Sequence, residues 1–110
     1  MSAIREYHAH VYYDAPATRA QAEQLVQAAG EKFGVKVGRI HDNPVGPHPR
    51  GSCQLTVKPE QFAEVIPWLV LNRKGLTIFT HAQTGNALKD HTDHVVWLGP
   101  SETLKLSALS

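Results

Sequence analysis

Residues 5–13 read REYHAHVYY, and the interpretation of this stretch decides the fold. It is dense in aromatic and β-branched side chains, the composition of a strand. Side chains two apart on a strand point the same way. Tyr7, Ala9 and Val11 therefore share one side, while His8, His10 and Tyr12 share the other. An alternation of this kind suits an antiparallel sheet that packs one face and leaves the other free.

The neighbouring segments supply the packing layer. Thr18 stands three residues ahead of Gln21, a capping-box spacing. Ala22, Leu25, Val26, Ala29 and Phe33 then recur on one face of an amphipathic helix, and Gly34 is a natural stop. Residues 35–40, VKVGRI, alternate as a second strand. The stretch HDNPVGPHPRG (41–51) holds three prolines and two glycines and reads as a loop. SCQLTV (52–57) alternates again, with Cys53, Leu55 and Val57 on one side. Pro59 suits the first turn of a helix whose apolar face is Phe62, Ala63, Ile66, Leu69 and Val70. Pro67 should kink or break that helix, and Gly75 closes it. LTIFT (76–80) is a fourth strand, HAQTGNALKD (81–90) a polar loop, and HVVWLG (94–99) a fifth strand with Trp97 in the core. The tail beyond Gly99 is expected to be extended and frayed.

The order β-α-β-β-α-β with an extra C-terminal strand is an α+β, ferredoxin-like plan: an antiparallel sheet with two helices on one face. A chain of 110 residues suits one domain, 1–110. The formal charge of +1 with scattered Lys and Arg does not form the basic stripe of a nucleic-acid binder. No run is long and apolar enough for a membrane span, and the N-terminus lacks a signal-peptide pattern. Cys53, the single cysteine, allows no intrachain disulfide and suits a reducing compartment. The expectation is a soluble cytoplasmic protein with no nucleic-acid or membrane partner. A homodimer would cover the open sheet face.

Seven histidines are many for this length, and they are spread along the chain. Parity puts His8, His10, Gln54, Thr56, Thr77, Phe79 and His81 on the uncovered face. A wet sheet face accepts histidine without any function, and His41, in a loop beside Asp42, takes that solvated reading. Paired imidazoles from one strand can also chelate a metal. His48 lies in a rigid Pro-His-Pro turn, and DHTDH (90–94) adds His91 and His94 beside Asp90 and Asp93. Imidazole suits Fe, Zn, Cu and Ni, and two histidines with a carboxylate suit Fe(II) and oxygen chemistry. Cys53 should face the helices, which argues against a thiolate-rich zinc site.

Together YHAHVYY, GPHPRG, THAQTG and DHTDHVVWLG resemble the DOPA 4,5-dioxygenase family of fungi, bacteria and cyanobacteria. That family carries a His-x-His first strand, a Gly-Pro-His-Pro turn, a His-x-x-Thr-Gly loop and an Asp-His segment leading into a Trp-Leu-Gly strand. The resemblance runs from about residue 6 to 99. It implies a ferredoxin-like fold and extradiol cleavage of a catechol by non-haem Fe(II) and O₂. With DOPA the product would be a seco-DOPA able to cyclise to a betalain-type pigment precursor. The matching histidines are His8, His10, His48, His81 and His91, with His94 outside the fixed part of the pattern. The segment RGSCQL is smaller than the family's usual residues, which bears on substrate more than on reaction type.

The candidate metal ligands are His8, His10 and His81. The cofactor would be Fe(II), with zinc the ion a crystal could carry instead. His48, His91 and His94 would serve as acid/base or substrate ligands. Arg50 could pair with a substrate carboxylate, or simply be solvated. Tyr12 and Phe79 could flank an aromatic ring, or merely pack. No carboxylate is assigned as a ligand, and an all-histidine site is the alternative. The substrates would be a small aromatic and O₂, DOPA or another. A non-catalytic metal- or ligand-binding module of the same fold is the competing reading.

Overall fold

The computed structural model describes residues 3–109. The chain runs β1 (Glu6–Tyr13), α1 (Arg19–Phe33), β2 (Lys36–Val37), β3 (Gly51–Val57), α2 (Phe62–Asn72), β4 (Ile78–Gln83), α3 (Ala87–Thr92) and β5 (Val95–Leu98). Short 3-10 turns lie at Pro59–Gln61 and Leu106–Leu109. One sheet has the order β2-β3-β1-β4-β5, with every neighbouring pair antiparallel. This is the ferredoxin-like arrangement with the expected extra strand at one edge.

The odd-numbered residues of β1 face the helices. Ala9, Val11 and Tyr13 are fully buried, as are Cys53, Leu55 and Val57 of β3 and Ile78 of β4. Against them pack Ala22, Leu25, Val26 and Ala29 of α1 with Val65, Ile66 and Leu69 of α2. Burial of apolar area of this kind drives the fold at about 25 cal/mol per Å². Gly34 ends α1 in the left-handed region at φ 71°, its N–H bonded to the Gly30 carbonyl. Cys53 is sealed in this core, where burial, with Glu23 adding to it, pushes its thiol up to about 11.

Several local expectations change. Thr18 makes no side-chain cap; its hydroxyl instead accepts the Asp14 N–H at 2.8 Å. α2 passes through Pro67 without ending, because buried Val65 and Ile66 on one side of it and Leu69 on the other seat the helix on the sheet. The buried stripe of α2 is Phe62, Val65, Ile66 and Leu69, whereas Ala63 is exposed and Val70 is 49% exposed. This helix is apolar nearly all round, so its sequence fits two stripes equally well and the sheet selects one. β4 starts later and runs further than its apolar run suggests. Pairing with β1 extends it to Gln83, opposite Glu6. The polar segment after it contains α3, capped by Asn86, whose side chain accepts the Lys89 N–H at 3.1 Å. Six residues are too few for an apolar period to show. Trp97 is not in the helix-side core: it pairs with Phe79 on the other face. The tail returns to the body, with the Lys105 N–H bonded to the Pro47 carbonyl at 2.8 Å. No helix among the described residues is long and apolar enough to cross a membrane.

The choice of stripe on α2 is testable. Val65→Ala removes two fully buried methyls and should cost about 2 kcal/mol. Val70→Ala should stay within about 0.5 kcal/mol of the parent. Urea midpoints of the two variants measure the difference, and the reverse ranking would contradict the packing described.

Candidate metal centre

Two central rows of side chains on the face of the sheet away from α1 and α2 make the site. Antiparallel register sets Thr56, His8, His81 and Val95 side by side across β3, β1, β4 and β5. The next row is Gln54, His10, Phe79 and Trp97. Period two on β1 and β4, with β1 central, brings His8, His10 and His81 together.

Their nitrogens are close enough to share one ion. Each of the three offers a ligand atom, and the three atoms all lie within 4.8 Å of one another. Nε2 of His10 and Nε2 of His81 are 3.1 Å apart. Two donors about 2.1 Å from one metal and at right angles to each other would be about 3.0 Å apart. The spacing therefore matches adjacent positions around a metal. The proton state fits as well. Burial, followed by the neighbouring imidazoles His48, His81, His8 and His91, holds His10 well below its ordinary value. Burial, with His91 and His8 next among the lowering effects, brings His81 down to about 4, although the Ala82 carbonyl opposes this. At pH 7 both rings are neutral and have a lone pair to donate. His81 donates from Nδ1 to the Ala82 carbonyl at 3.0 Å, which leaves Nε2 as the free donor atom.

Two more histidines complete the cluster from outside the sheet. The turn after Pro47 lays His48 over His10, with ring centroids 4.1 Å apart. Burial, then His91 and His41, lowers His48 to about 4. Its Nδ1 is 2.8 Å from the Tyr12 hydroxyl. Burial, reinforced by Glu102, raises the Tyr12 phenol, so it stays protonated. On the other side α3 lays His91 over His81, with centroids 4.1 Å apart. The His91 Nδ1–H is tied to the Ala87 carbonyl at 2.7 Å. Phe79 stacks with Trp97 at 4.6 Å and touches the rings of His10, His48, His81 and His91. Phe79 and Tyr12 are fully buried against this cluster.

The other site candidates lie elsewhere. His94 is 40% exposed on its side chain and pairs with Asp90 at 2.9 Å. Among the described residues it has no ring contact with the other imidazoles. Parity explains this, because Val95, not His94, stands opposite His81. His41 bridges to Ser52 at the sheet edge. Arg50 is occupied: Nε and Nη2 grip both oxygens of Glu102 at 3.1 and 2.7 Å, and Nη1 holds Asp14 at 3.1 Å. The tail that supplies Glu102 could not be placed from local sequence.

Two carboxylates lie near the cluster; the sequence marks Asp90 beside His91 and His94 without making it a ligand, and leaves Glu6 unmarked. Glu6 precedes His8 by two residues, hence shares its face, and hydrogen-bonds His8 Nε2 at 2.5 Å. Period two could have flagged it. Asp90 is 1% exposed, and accepts the Thr84 N–H at 2.7 Å, the Thr84 hydroxyl at 2.6 Å and the His94 Nδ1–H. These bonds tie α3 to the end of β4 and so position His91.

The chain is similar to known proteins along nearly its whole length. Residues 7–108 match the model of the Dopa 4,5-dioxygenase family. The DOPA 4,5-dioxygenase of Amanita muscaria is 36% identical over 116 aligned positions, covering 98% of this chain and 51% of that protein. An uncharacterised 21.2 kDa protein of Botryotinia fuckeliana is 37% identical over 81 positions, 66% of this chain and 44% of its own length. The chain thus spans about half the length of these curated relatives. A crystal structure of a candidate dioxygenase from Nostoc punctiforme superposes with a TM-score of 0.94 at 45% identity, covering 97% of this chain and 92% of that one.

Two measurements test the site. Equilibrium dialysis against Fe(II) or Zn(II) should show one tightly bound ion. His8→Ala, His10→Ala and His81→Ala should each weaken binding by at least about 100-fold, more than loss of an outer partner costs. His94→Ala should leave it unchanged; equal behaviour of all four would remove the assignment. The second concerns Asp90. Burial pushes its carboxyl up, but the Thr84 hydroxyl, the Thr84 N–H and His94 outweigh this and hold it at about 2. A depressed folded value stabilises the protein fully above the unfolded value near 4 and is lost as pH falls towards 2. The contribution is about 2 kcal/mol. The stability gap between parent and Asp90→Asn, followed by urea unfolding, should therefore shrink between pH 4 and pH 2. A gap independent of pH there would contradict the hydrogen bonding described.

Proposed function

The chain belongs to the Dopa 4,5-dioxygenase family, and from that premise we propose that it is a non-haem, Fe(II)-dependent extradiol dioxygenase opening the ring of a catechol such as DOPA or a related small aromatic. The observation that carries the reading is the 3.1 Å approach of the His10 and His81 Nε2 atoms, with His8 completing a three-donor set. Iron(II) bound there would supply positions for the two catechol oxygens and O₂, and the redox capacity to couple ring and oxygen.

The protein's own groups handle orientation and protons. His48 is neutral at working pH and lies over His10. It can take the proton of a catechol hydroxyl and later return it to the leaving oxygen. For that role the proton of neutral His48 sits on Nδ1 and is donated to the Tyr12 oxygen, which sets the ring plane and leaves Nε2 as the basic nitrogen. His91, whose Nδ1–H is anchored on the Ala87 carbonyl, presents its other nitrogen as a second proton carrier over His81. Phe79 is buried and packs against Trp97, whose partly exposed ring offers an apolar surface to an aromatic substrate. Glu6 holds His8 through its carboxylate.

Protein loaded with Fe(II) without oxygen, then given a catechol and air, should form a yellow ring-opened product, and a chelator should abolish it. His48→Ala should keep its metal and lower kcat by about 10²–10⁴-fold, the usual contribution of a general base. Stoichiometric metal binding with no ring-opened product from any catechol would instead make this a metal-binding module.

A further inference from the structure

Beside His10 and His48 the uncovered face opens into a cleft of about 380 Å³ above β3. Gln54 and Thr56 lie along it, and Lys36, Arg39 and His41 stand at its outer wall. We propose that this cleft holds an anionic side chain of the aromatic substrate, with Arg39 as the principal carboxylate anchor and Lys36 as its second cation. The inference rests on the ring-cleaving reading for its substrate and adds the position of the acidic group.

Three observations carry it. First, the cleft has a one-sided charge: two full cations and no carboxylate line it. Among the described residues neither Lys36 nor Arg39 forms an ion pair, whereas Arg19 and Arg50 do. Cations grouped without a partner at the mouth of a polar cleft are free to bind an anion. Second, the competing anchor is already occupied. Arg50 commits its fork to Glu102 and its remaining arm to Asp14, so a substrate carboxylate would have to displace both. Third, the register sets the distance. Lys36 is opposite Thr56, and Thr56 is opposite His8, in one row across the sheet. Two strand spacings separate Lys36 from His8, roughly 10 Å between Cα atoms. A catechol whose oxygens sit at the histidine triad, with a side chain of two or three carbons, can span that gap across β3. The planar guanidinium of Arg39 can then take the carboxylate with two parallel hydrogen bonds.

The test compares two catechols that differ only in charge, 3-(3,4-dihydroxyphenyl)propionate and 4-propylcatechol. In the Fe(II)-loaded parent the acid should have the higher kcat/KM. In Arg39→Gln the ratio of the two kcat/KM values should fall about tenfold, through KM for the acid, with a smaller fall in Lys36→Gln. Arg39→Lys should restore part of the ratio, and added salt should reduce it in the parent. An unchanged ratio in Arg39→Gln, with both catechols still cleaved, would overturn the anchor and leave the ring-cleaving reading standing. If neither catechol is cleaved, that reading fails, and quenching of tryptophan fluorescence measures binding of the two compounds directly. The acid must then bind about tenfold more tightly than 4-propylcatechol, and Arg39→Gln must abolish the difference. Equal binding of both compounds by the parent, or no binding, overturns the proposal.

Discussion

Two helices can cover only one face of a five-stranded sheet, and everything at the candidate site follows from that limit. A strand sends alternate side chains to opposite faces. Once Ala9 and Val11 are committed to the core, His8 and His10 must stand on the far side. Antiparallel register then decides which residue they meet. β1 lies between β3 and β4, so His8 faces His81 from one neighbour and Thr56 from the other. A slip of one residue would bury the imidazoles beneath α1 and α2 and expose the core alternation to water. The apolar packing of one face therefore enforces the chemistry of the other.

The far face is uncovered by α1 and α2, yet its centre is not wet. His10, His48 and His81 are all buried, with His48 of the 41–50 loop lying over His10 and His91 of α3 over His81. Burial disfavours imidazolium, and each ring also repels charge on the next. The three buried rings are therefore held neutral, and neutral imidazoles are the form that binds a metal. One nitrogen of each of three rings has its own partner: Tyr12 for His48, the Ala82 carbonyl for His81 and the Ala87 carbonyl for His91. These bonds set ring orientation, so the site is arranged before any ion arrives.

Charge is divided across the same face. The histidine cluster has Glu6 at one end of β1 and a cation-lined cleft on the β3 side. Arg50, which local sequence would place among the substrate ligands, has a different task. It joins the loop, the start of the 14–18 turn and the tail through Asp14 and Glu102. Only three of the chain's segments meeting in space reveal that employment.

Period two on β1 and β3 made the sheet faces, the ferredoxin-like order and the grouping of His8, His10 and His81 legible from the sequence, because each follows from local alternation and chain order. Recurring short motifs likewise marked His48 and His91. Other features depended on long-range contacts that leave no local pattern. The stripe of α2, the full length of β4 and the side on which Trp97 lies were decided by strand pairing and packing. α3 was too short to show a period, and His94, grouped with His91 by role though outside the fixed part of the pattern, is kept from the cluster by the parity that sets Val95 opposite His81. The pairing of Arg50 with Glu102 joins positions 52 residues apart, and only the folded chain brings those two groups within hydrogen-bond distance.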